Sequence, residues 1–499
     1  MASGWTSVVS IRFVCLYFIV ASGAPIHLEQ QILRHFRPTM DKIRLAKVAN
    51  ILTDMRMISA DQGSRTLDNV SQVVVPNTNY SLFDTPYFNN DTQTWRTPSE
   101  RYLFEGDILL SVNQASRILD WTVQKKPLSH KRAAMIALNH MFWEVMPIRY
   151  VFHDSLFDVQ IPAIREALEY WQNHTCVSFS ELTQSTPDLD QGVLDVVVFY
   201  RGDGCYSMVG RAGGSQGISV GQQCTKAGLI AHEIGHALGL WHEQSRPDSA
   251  CCIKVLDDNI QSGFHINFRQ RPTRESQTFG LPYDLGSVMH YRSNAFSRDD
   301  RLHTIETVEP GYQRTIGQRV APSFIDVHAV NNAYCTNRCR QELPCQYGGY
   351  THPSTCNTCL CPDGLGGIYC DREAPSINAV CGGVIAVGET WTEITSPNFP
   401  AHYGFSQRCN WLIKAPSGFL VRLEFQFFDV SCNLITCFDY VELKLDSKEF
   451  AKTGMRYCCN DAPGGTVYSL YNEMIIIFNS ELHSRGGFKA RLTRHPPTS

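Results

Sequence analysis

The distribution of cysteines constrains this chain more than any other feature of its sequence. Leaving out Cys15, the other 18 of its 19 cysteines form three blocks of six, which span Cys176 to Cys335, Cys339 to Cys370 and Cys381 to Cys459. Even counts within each block predict disulfides that close inside separate domains in an oxidising compartment. A length of 499 residues also exceeds what one hydrophobic core organises, so we expect three or more domains.

The first residues have the pattern of a secretory signal peptide. Arg12 closes a short polar region, residues 13–20 are apolar, and small residues at positions 21–23 offer a cleavage site. The alternative is a short buried strand. The apolar run is too short to span a bilayer, and no later segment reaches that length. We therefore predict a signal peptide over residues 1–23, a secreted extracellular product and no membrane span.

A polar stretch without cysteines extends from residue 24 to about residue 132. Within it, residues 77–98 are rich in Asn, Thr and Pro, which predicts a loop. The stretch ends in Lys131-Arg132, a dibasic pair that is typical of a processing point in an exported chain. The alternative is a solvated charge pair. We predict a propeptide over residues 24–132 that is cleaved between Arg132 and Ala133.

Charge and sequons both bear on the partners of the chain. The formal net charge of −4 and the absence of a basic run argue against nucleic acid and against a membrane surface, so we expect extracellular proteins as partners. Four Asn-X-Ser/Thr sequons are usable in an exported chain, and we predict glycosylation there. They are Asn69, Asn79, Asn90 and Asn173.

Sequence pattern divides the remaining chain into three regions. Residues 161–171 and 225–240 have helical spacing and residues 193–200 form a β-branched run, which together predict α+β structure. The short stretch of residues 339–370 cannot stabilise itself by burial and needs its cross-links. From residue 381 onward apolar and polar residues alternate, which predicts an all-β sandwich.

The segment from Ala231 to Glu243 reads AHEIGHALGLWHE and predicts a metal site. His232 and His236 are four positions apart, so a helix presents both imidazoles on one face, where they can bind one zinc ion. Gly239 can take the left-handed conformation that ends a helix, and the chain then turns back so that His242 supplies a third ligand. Three protein ligands leave a coordination position for water, as in catalytic zinc sites.

Glu233 completes the chemistry that this segment predicts. It lies beside the first histidine, where it can contact the water in the open position rather than the metal. A glutamate there can act as the general base and later protonate the leaving amine. We therefore predict one zinc ion per subunit and hydrolysis of peptide bonds through a zinc-bound water. The alternative is a helix that carries histidines by chance, which the defined offsets of Gly239 and His242 disfavour.

A second motif, SVMHY at residues 287–291, follows the first. Together the two motifs resemble those of the astacin family of metzincin zinc proteases. The resemblance implies an α+β protease domain with a two-lobed cleft over residues 133–335. It also implies that Met289 forms an apolar floor under the zinc. Tyr291 would be an additional zinc ligand that swings toward the substrate and stabilises the oxyanion.

The same resemblance implies how the enzyme is kept latent. The segment FEGDI at residues 104–108 resembles the family's prodomain switch, in which Asp107 would bind zinc in place of the catalytic water. Read without the family, this segment is only an acidic turn. After processing, Glu243 would meet the new N-terminal amine of Ala133.

Disulfide pairing is likewise taken from the resemblance. Family pairing implies that Cys176 bonds to Cys335 and that Cys205 bonds to Cys224. Cys251 and Cys252 depart from the family pattern, and the sequence leaves open whether they pair with each other.

The last two cysteine blocks resemble modules that often bind other proteins. Residues 336–371 resemble an EGF-like domain and residues 381–494 resemble a CUB domain, so we expect protein contacts through both. Asp439 fits the acidic cluster with which some CUB domains bind calcium, but the segment at residues 479–481 lacks the expected Asp. Calcium binding therefore stays open. The order of domains is like that of nematode astacins.

Two rival functions belong to other classes. One is a binding or matrix protein with an inactive protease domain, which loss of Glu233 or of a ligand would favour, and none is lost. The other makes the EGF-like and CUB modules the main function, with proteolysis incidental. The sequence does not separate the second rival from an enzyme that uses the modules to select substrates.

Overall fold

The structure is a computed structural model of the chain. It describes residues 42–60, 87–89, 94–96, 103–124, 135–136, 141–183, 195–272, 275–481 and 485–497. The predicted signal peptide, the sites Asn69, Asn79 and Asn90, and the processing site at Arg132 and Ala133 lie outside these residues. Among the helices that are described, none combines the length and the apolar character needed to cross a membrane.

The region up to Cys335 mixes helices with short strands. Its helices are α1 (Lys42–Ala60), α2 (Val112–Gln124), α3 (Gln160–His174), α4 (Ala227–Ala237) and α5 (Phe324–Tyr334). Its strands are β1 (Tyr87–Asn89), β2 (Thr94–Arg96), β3 (Leu103–Phe104), β4 (Ile108–Leu109), β5 (Met135–Ile136), β6 (Ile148–Phe152), β7 (Phe179–Glu181), β8 (Val196–Tyr200), β9 (Cys205–Ser207), β10 (Ser215–Val220), β11 (Ile253–Val255), β12 (Ser276–Gln277) and β13 (Ile305–Thr307).

A seven-stranded mixed sheet organises this region, in the order β3-β4-β9-β10-β8-β6-β7. Strand β8 is buried along its whole length, as its β-branched sequence predicts. Helices α3 and α4 pack on the sheet around the buried Trp171, whose indole N–H donates to the carbonyl of Ala231 at 3.0 Å. The sheet therefore fixes the position of α4, which carries the two histidines of the metal motif.

Two of the seven strands come from the predicted propeptide. β3 and β4 form a hairpin, and β4 pairs parallel with β9 at the edge of the sheet. The propeptide also shares a hydrophobic core with the following region, which includes Leu52, Ile118 and Trp241. The described part of the predicted propeptide is therefore packed into the fold.

Two sequence predictions for this part of the chain were wrong. Residues 77–98 are not all loop, because β1 and β2 pair antiparallel within them. Runs rich in Asn and Asp also form the turns of hairpins, which the loop prediction did not weigh. The helix predicted over residues 225–240 is shorter, since α4 ends at Ala237 and Gly239 has φ of +107°.

Residues 336–373 form a small unit held by cross-links. Its strands are β14 (Tyr350–Thr351), β15 (Cys359–Leu360), β16 (Leu365–Gly366) and β17 (Arg372–Glu373), which pair as two hairpins. Its disulfides are Cys339–Cys356, Cys345–Cys359 and Cys361–Cys370. They follow a one-three, two-four, five-six order, and all of them close within the second cysteine block.

The C-terminal region is a sandwich of two sheets, as the alternation of its sequence predicts. Its strands are β18 (Gly383–Ala386), β19 (Thr392–Thr395), β20 (Arg408–Lys414), β21 (Leu420–Asp429), β22 (Tyr440–Lys444), β23 (Met455–Tyr457), β24 (Thr466–Tyr468), β25 (Glu473–Asn479) and β26 (Gly487–His495). One sheet has the order β18-β20-β25-β22-β23 and the other β19-β26-β21-β24. Buried Trp411, Leu423 and Phe488 fill the space between them.

Candidate metal centre

Helix α4 and the turn after it bring three histidines together. His232 and His236 project from one face of α4, and their ring centroids are 4.6 Å apart. The positive φ of Gly239 reverses the chain, so the ring of His242 lies 4.8 Å from His236 and 5.4 Å from His232. All three imidazoles are buried. The structure thus brings together the three residues that the spacing of the motif selects.

The side chain of Asp107 is the fourth member of this cluster. Its carboxylate oxygens lie 3.2 Å from Nε2 of His232, 3.7 Å from Nε2 of His236 and 3.1 Å from Nε2 of His242. The four ligand atoms all fall within 4.8 Å of one another. The predicted propeptide therefore places a carboxylate where the three imidazoles converge.

The donor set fits a zinc ion. Three imidazole nitrogens and one carboxylate oxygen are ligands that zinc takes in four-coordinate sites. Nε2 of His236 and Oδ1 of Asp107 are buried, and neither has a hydrogen-bond partner among the described residues. Buried polar atoms without partners are uncommon in folded proteins, and a shared metal ion would satisfy both.

The other nitrogen of each imidazole is held by the protein. Nδ1 of His232 contacts the carbonyl of Val288 at 2.8 Å, and Nδ1 of His236 contacts the carbonyl of Leu240 at 2.8 Å. Nδ1 of His242 contacts a carboxylate oxygen of Glu105 at 2.7 Å. Such contacts fix the tautomer and the ring orientation, so that Nε2 is directed to the metal.

Burial and the nearby carboxylates set the charges of the cluster. Burial lowers the pKa of His232 to about 3 and also lowers the pKa of His236, so both rings are neutral at pH 7. Burial opposes the charged form of His242 as well, but Asp107 and Glu105 raise its pKa to about 9. Burial and the charge of Asp107 raise the pKa of Glu233 well above its usual range.

Glu233 and Tyr291 lie at the cluster without joining it. Glu233 is buried, and its Oε2 has no hydrogen-bond partner among the described residues. The ring of Tyr291 lies 4.7 Å from that of His242, and its hydroxyl donates to the carbonyl of Glu105 at 2.5 Å. In this structure the backbone of the predicted propeptide therefore accepts the hydrogen bond of the Tyr291 hydroxyl.

Met289 and Glu243 are both buried and hydrogen-bonded to each other through the backbone. Met289 is buried in the same core as α4, and its carbonyl accepts the N–H of Glu243 at 3.1 Å. Glu243 is buried, and its Oε1 accepts from Arg246 at 3.0 Å and from the N–H of Asp284 at 2.9 Å. Its predicted partner Ala133 is not among the described residues.

The sequence analysis missed Glu105 as a functional residue. Glu105 is 2% exposed, and Arg271 donates to its Oε1 at 2.8 Å while Oε2 contacts His242. Its φ of +54° directs Glu105 and Asp107 into the site from one tight turn. The available signal was its place inside the FEGDI segment, but the contact with Arg271 spans 166 positions and has no local signature.

Three disulfides close within the first cysteine block. The structure joins Cys176 to Cys335 and Cys205 to Cys224, the pairs implied by the resemblance, and it joins Cys251 to Cys252. Asn173, the sequon residue of this region, is exposed in the last turn of α3.

Comparison with known proteins agrees with this geometry. Residues 135–335 match the model of the peptidase family described as Astacin, and residues 381–492 match that of the CUB domain. The chain is 46% identical over 391 residues to zinc metalloproteinase nas-36 of Caenorhabditis elegans, covering 78% of this chain and 62% of that protein. It is 40% identical over 415 residues to zinc metalloproteinase dpy-31 of Haemonchus contortus, covering 82% and 74%.

Among solved structures, high choriolytic enzyme 1 of medaka, a hatching enzyme zinc-protease, is 30% identical with a TM-score of 0.36. That match covers 40% of this chain and 96% of the medaka chain. The chain belongs to the astacin family, whose cofactor is zinc, and it carries a CUB domain. It spans only 62% of the length of the nas-36 relatives from two Caenorhabditis species.

Proposed function

We propose that this chain is the latent precursor of a secreted zinc endopeptidase that hydrolyses peptide bonds of extracellular proteins. The observation that carries the proposal is the convergence of Asp107 with His232, His236 and His242. The carboxylate comes from the segment before the matched family domain, so it can leave while the three histidines stay. Disulfides in every cysteine block support an extracellular setting.

The three histidines would hold the metal through Nε2. When bound, zinc supplies a Lewis acid that polarises a carbonyl and lowers the pKa of a water toward about 7. Glu233 would act as the general base that takes the proton of the attacking water. It would then deliver that proton to the leaving amine. Its buried position beside two ligands supports this role.

Tyr291 would stabilise the oxyanion of the tetrahedral intermediate. Its hydroxyl now donates to the carbonyl of Glu105, so that donor is free only when the propeptide leaves. A donor directed at a developing oxyanion contributes about 3 kcal/mol to catalysis. The same event therefore gives the site a donor and removes a blocking carboxylate.

The propeptide would keep the enzyme inactive. Asp107 occupies the position where the three imidazoles converge, and β4 pairs with β9, which would become the edge strand of the sheet once β3 and β4 leave. Cleavage after Arg132 would release this segment and free the amine of Ala133. A buried amine needs a partner of opposite charge, and Glu243 is a buried carboxylate. Met135, two residues after Ala133, pairs with Leu240, three residues before Glu243, which supports a position of the amine close to this carboxylate.

We also propose that the unit at residues 336–371 is EGF-like. Its one-three, two-four, five-six disulfide order and its two short hairpins support this assignment. Together with the CUB domain it would contact extracellular proteins. A glycan at Asn173, which is exposed, is compatible with the fold.

One experiment tests the catalytic proposal. The processed protein is assayed for zinc content and for cleavage of an unfolded protein substrate, beside a Glu233→Gln variant. We expect the variant to keep its zinc and to lose roughly two to four orders of magnitude in turnover, because the ligands remain while proton transfer is removed. Glu166→Gln, on the exposed face of α3, is the matched control and should retain full turnover. Near wild-type turnover by Glu233→Gln would contradict the assignment.

A further inference from the structure

The CUB domain packs directly against the catalytic region. Strand β23 and the loops beside it contact the segment that runs from Asp284 to Ile316. The N–H of Arg456 donates to the Thr315 hydroxyl at 3.0 Å, and the hydroxyl of Thr436 donates to the carbonyl of Ile316 at 2.8 Å. These contacts join the two domains through backbone groups and buried side chains.

One buried part of this interface is centred on Thr453. Its N–H donates to Oδ1 of Asp284 at 3.1 Å, and its hydroxyl donates to Oδ2 at 3.2 Å. Gly286 lies against the same side chain, since a Cβ there would come within 2.3 Å of Thr453. Thr453 and Asp284 are both buried. One CUB residue thus forms hydrogen bonds with Asp284 and packs against Gly286.

That segment leads to the metal site by two short paths. The N–H of Asp284 donates to Oε1 of Glu243, the residue after His242. On the other side, Gly286 is followed by Ser287 and then by Val288, whose carbonyl contacts Nδ1 of His232 at 2.8 Å. His232 is therefore oriented by a carbonyl two residues after Gly286, which packs against Thr453, and the residue after His242 accepts a hydrogen bond from Asp284, which Thr453 binds.

We propose that Thr453 and Asp284 are positioning residues of the metal site, and that the CUB domain is a fixed support of the catalytic centre. Thr453 binds the side chain of Asp284, whose N–H donates to Glu243 and whose Oδ1 accepts the N–H of Gly286 at 3.1 Å. The rest of the turn is bound by Asp326, which accepts from the Ser287 hydroxyl and from the N–H of Val288. The expected effect on turnover rests on the proposed peptidase function. The expected effect on zinc affinity does not.

The test uses the full chain, expressed and processed, with Thr453→Asp as the main variant. A carboxylate at position 453 would face Asp284 in a buried site, and like charges there repel. We expect zinc affinity, measured by competition with a chelator, to fall roughly tenfold, the lower end of the range for groups that orient metal ligands. We expect kcat to fall by a similar factor while KM stays within about twofold, because substrate contacts are unchanged.

Rescue separates positioning from general damage. Asp284→Asn combined with Thr453→Asp leaves one carboxylate facing one amide, and zinc affinity should recover to that of Asp284→Asn alone. Thr453→Val removes only the hydroxyl and should give a smaller loss in the same direction, which carries the test where Thr453→Asp fails to fold. Ser417→Asp adds the same charge at an exposed turn of the CUB domain and is the control.

The outcomes distinguish the two proposals. Zinc affinity and kcat of Thr453→Asp and Thr453→Val equal to those of Ser417→Asp would overturn the positioning role. Failure of the double variant to recover would also overturn it, since the loss would then not depend on the contact with Asp284. Variant-dependent zinc affinity in a protein that cleaves no peptide would sustain the positioning role and contradict the proposed function.

Discussion

The predicted propeptide and the CUB domain both pack against the catalytic region, but they reach the metal site differently. The propeptide places Asp107 among the three histidines and Glu105 against His242. In the part of the CUB domain that the structure describes, Thr453 contacts Asp284 rather than one of these ligands. In the proposed mechanism the direct contact blocks the site and is removed on processing, whereas the indirect contact remains during catalysis. Position relative to the ligands thus separates a switch from a support.

The two interfaces also differ in charge. Glu105 is a buried carboxylate that joins Arg271 and His242, so its loss leaves unpaired charges in the interior. At the CUB interface, hydrogen bonds join Thr453 to Asp284, Arg456 to Thr315 and Thr436 to Ile316, and the ion pair of Arg314 with Asp461 lies near the surface, where the Asp461 side chain is 65% exposed. Substitutions in the propeptide should therefore change latency, while those in the CUB interface should change the mature site.

Tyr291, whose hydroxyl contacts Glu105 of the predicted propeptide, should give the largest loss of activity when it is replaced by Phe in the processed protein. Loss of a hydroxyl that acts in the transition state should lower kcat by roughly 10²- to 10³-fold and change KM little. Steady-state kinetics on a peptide substrate measure both constants, with Tyr468→Phe on the exposed face of the CUB domain as control. A rise in KM at constant kcat would show that Tyr291 only binds substrate.

Asp107→Ala should produce the next largest effect, and in the opposite direction. A charge-assisted contact contributes about 1.5–3 kcal/mol, so the unprocessed variant should populate an open site roughly 10- to 100-fold more than the wild-type proenzyme. Activity of the uncleaved chain measures this gain, with Asp120→Ala on the exposed side of α2 as control. An Asp107→Ala proenzyme as inactive as wild type would show that Asp107 does not keep the proenzyme latent.

Glu105→Gln should give the smallest of these effects. Glutamine keeps a hydrogen-bond acceptor but removes the charge that faces Arg271, which should weaken propeptide docking by roughly 1–2 kcal/mol. Chemical unfolding of the proenzyme measures the loss, and Glu144→Gln, at an exposed position, is the control. If Glu105→Gln unfolds like the control, the pair with Arg271 does not hold the propeptide.

The parts of the molecule that the sequence predicted are those with a local signature. The spacing of His232, His236 and His242 predicts their cluster because helix geometry and one glycine determine it. The alternation after residue 381 predicts a sandwich because strands with one buried face have a period of two. The even number of cysteines in each block predicts disulfides within separate domains, and Cys176–Cys335, Cys339–Cys356 and Cys381–Cys409 each join residues of one block.

The parts that the sequence could not predict depend on contacts between distant segments. Arg271 meets Glu105 and Thr453 meets Asp284 only through the packing of separate domains, over 166 and 169 positions. Neither pair belongs to a pattern of residues in one element. The roles of Asp107, Tyr291 and Glu243 came from family resemblance alone, since an acidic turn or a lone tyrosine has no chemistry of its own.

The most direct test of the account is to determine zinc content, N-terminal sequence and activity of the chain before and after processing. We predict that the uncleaved protein holds about one zinc ion per chain and is silent, because the donor set is already complete with Asp107. The active species should begin at Ala133 and hold the same amount of zinc. An uncleaved chain that is fully active, or an active species that begins well away from Ala133, would contradict the account.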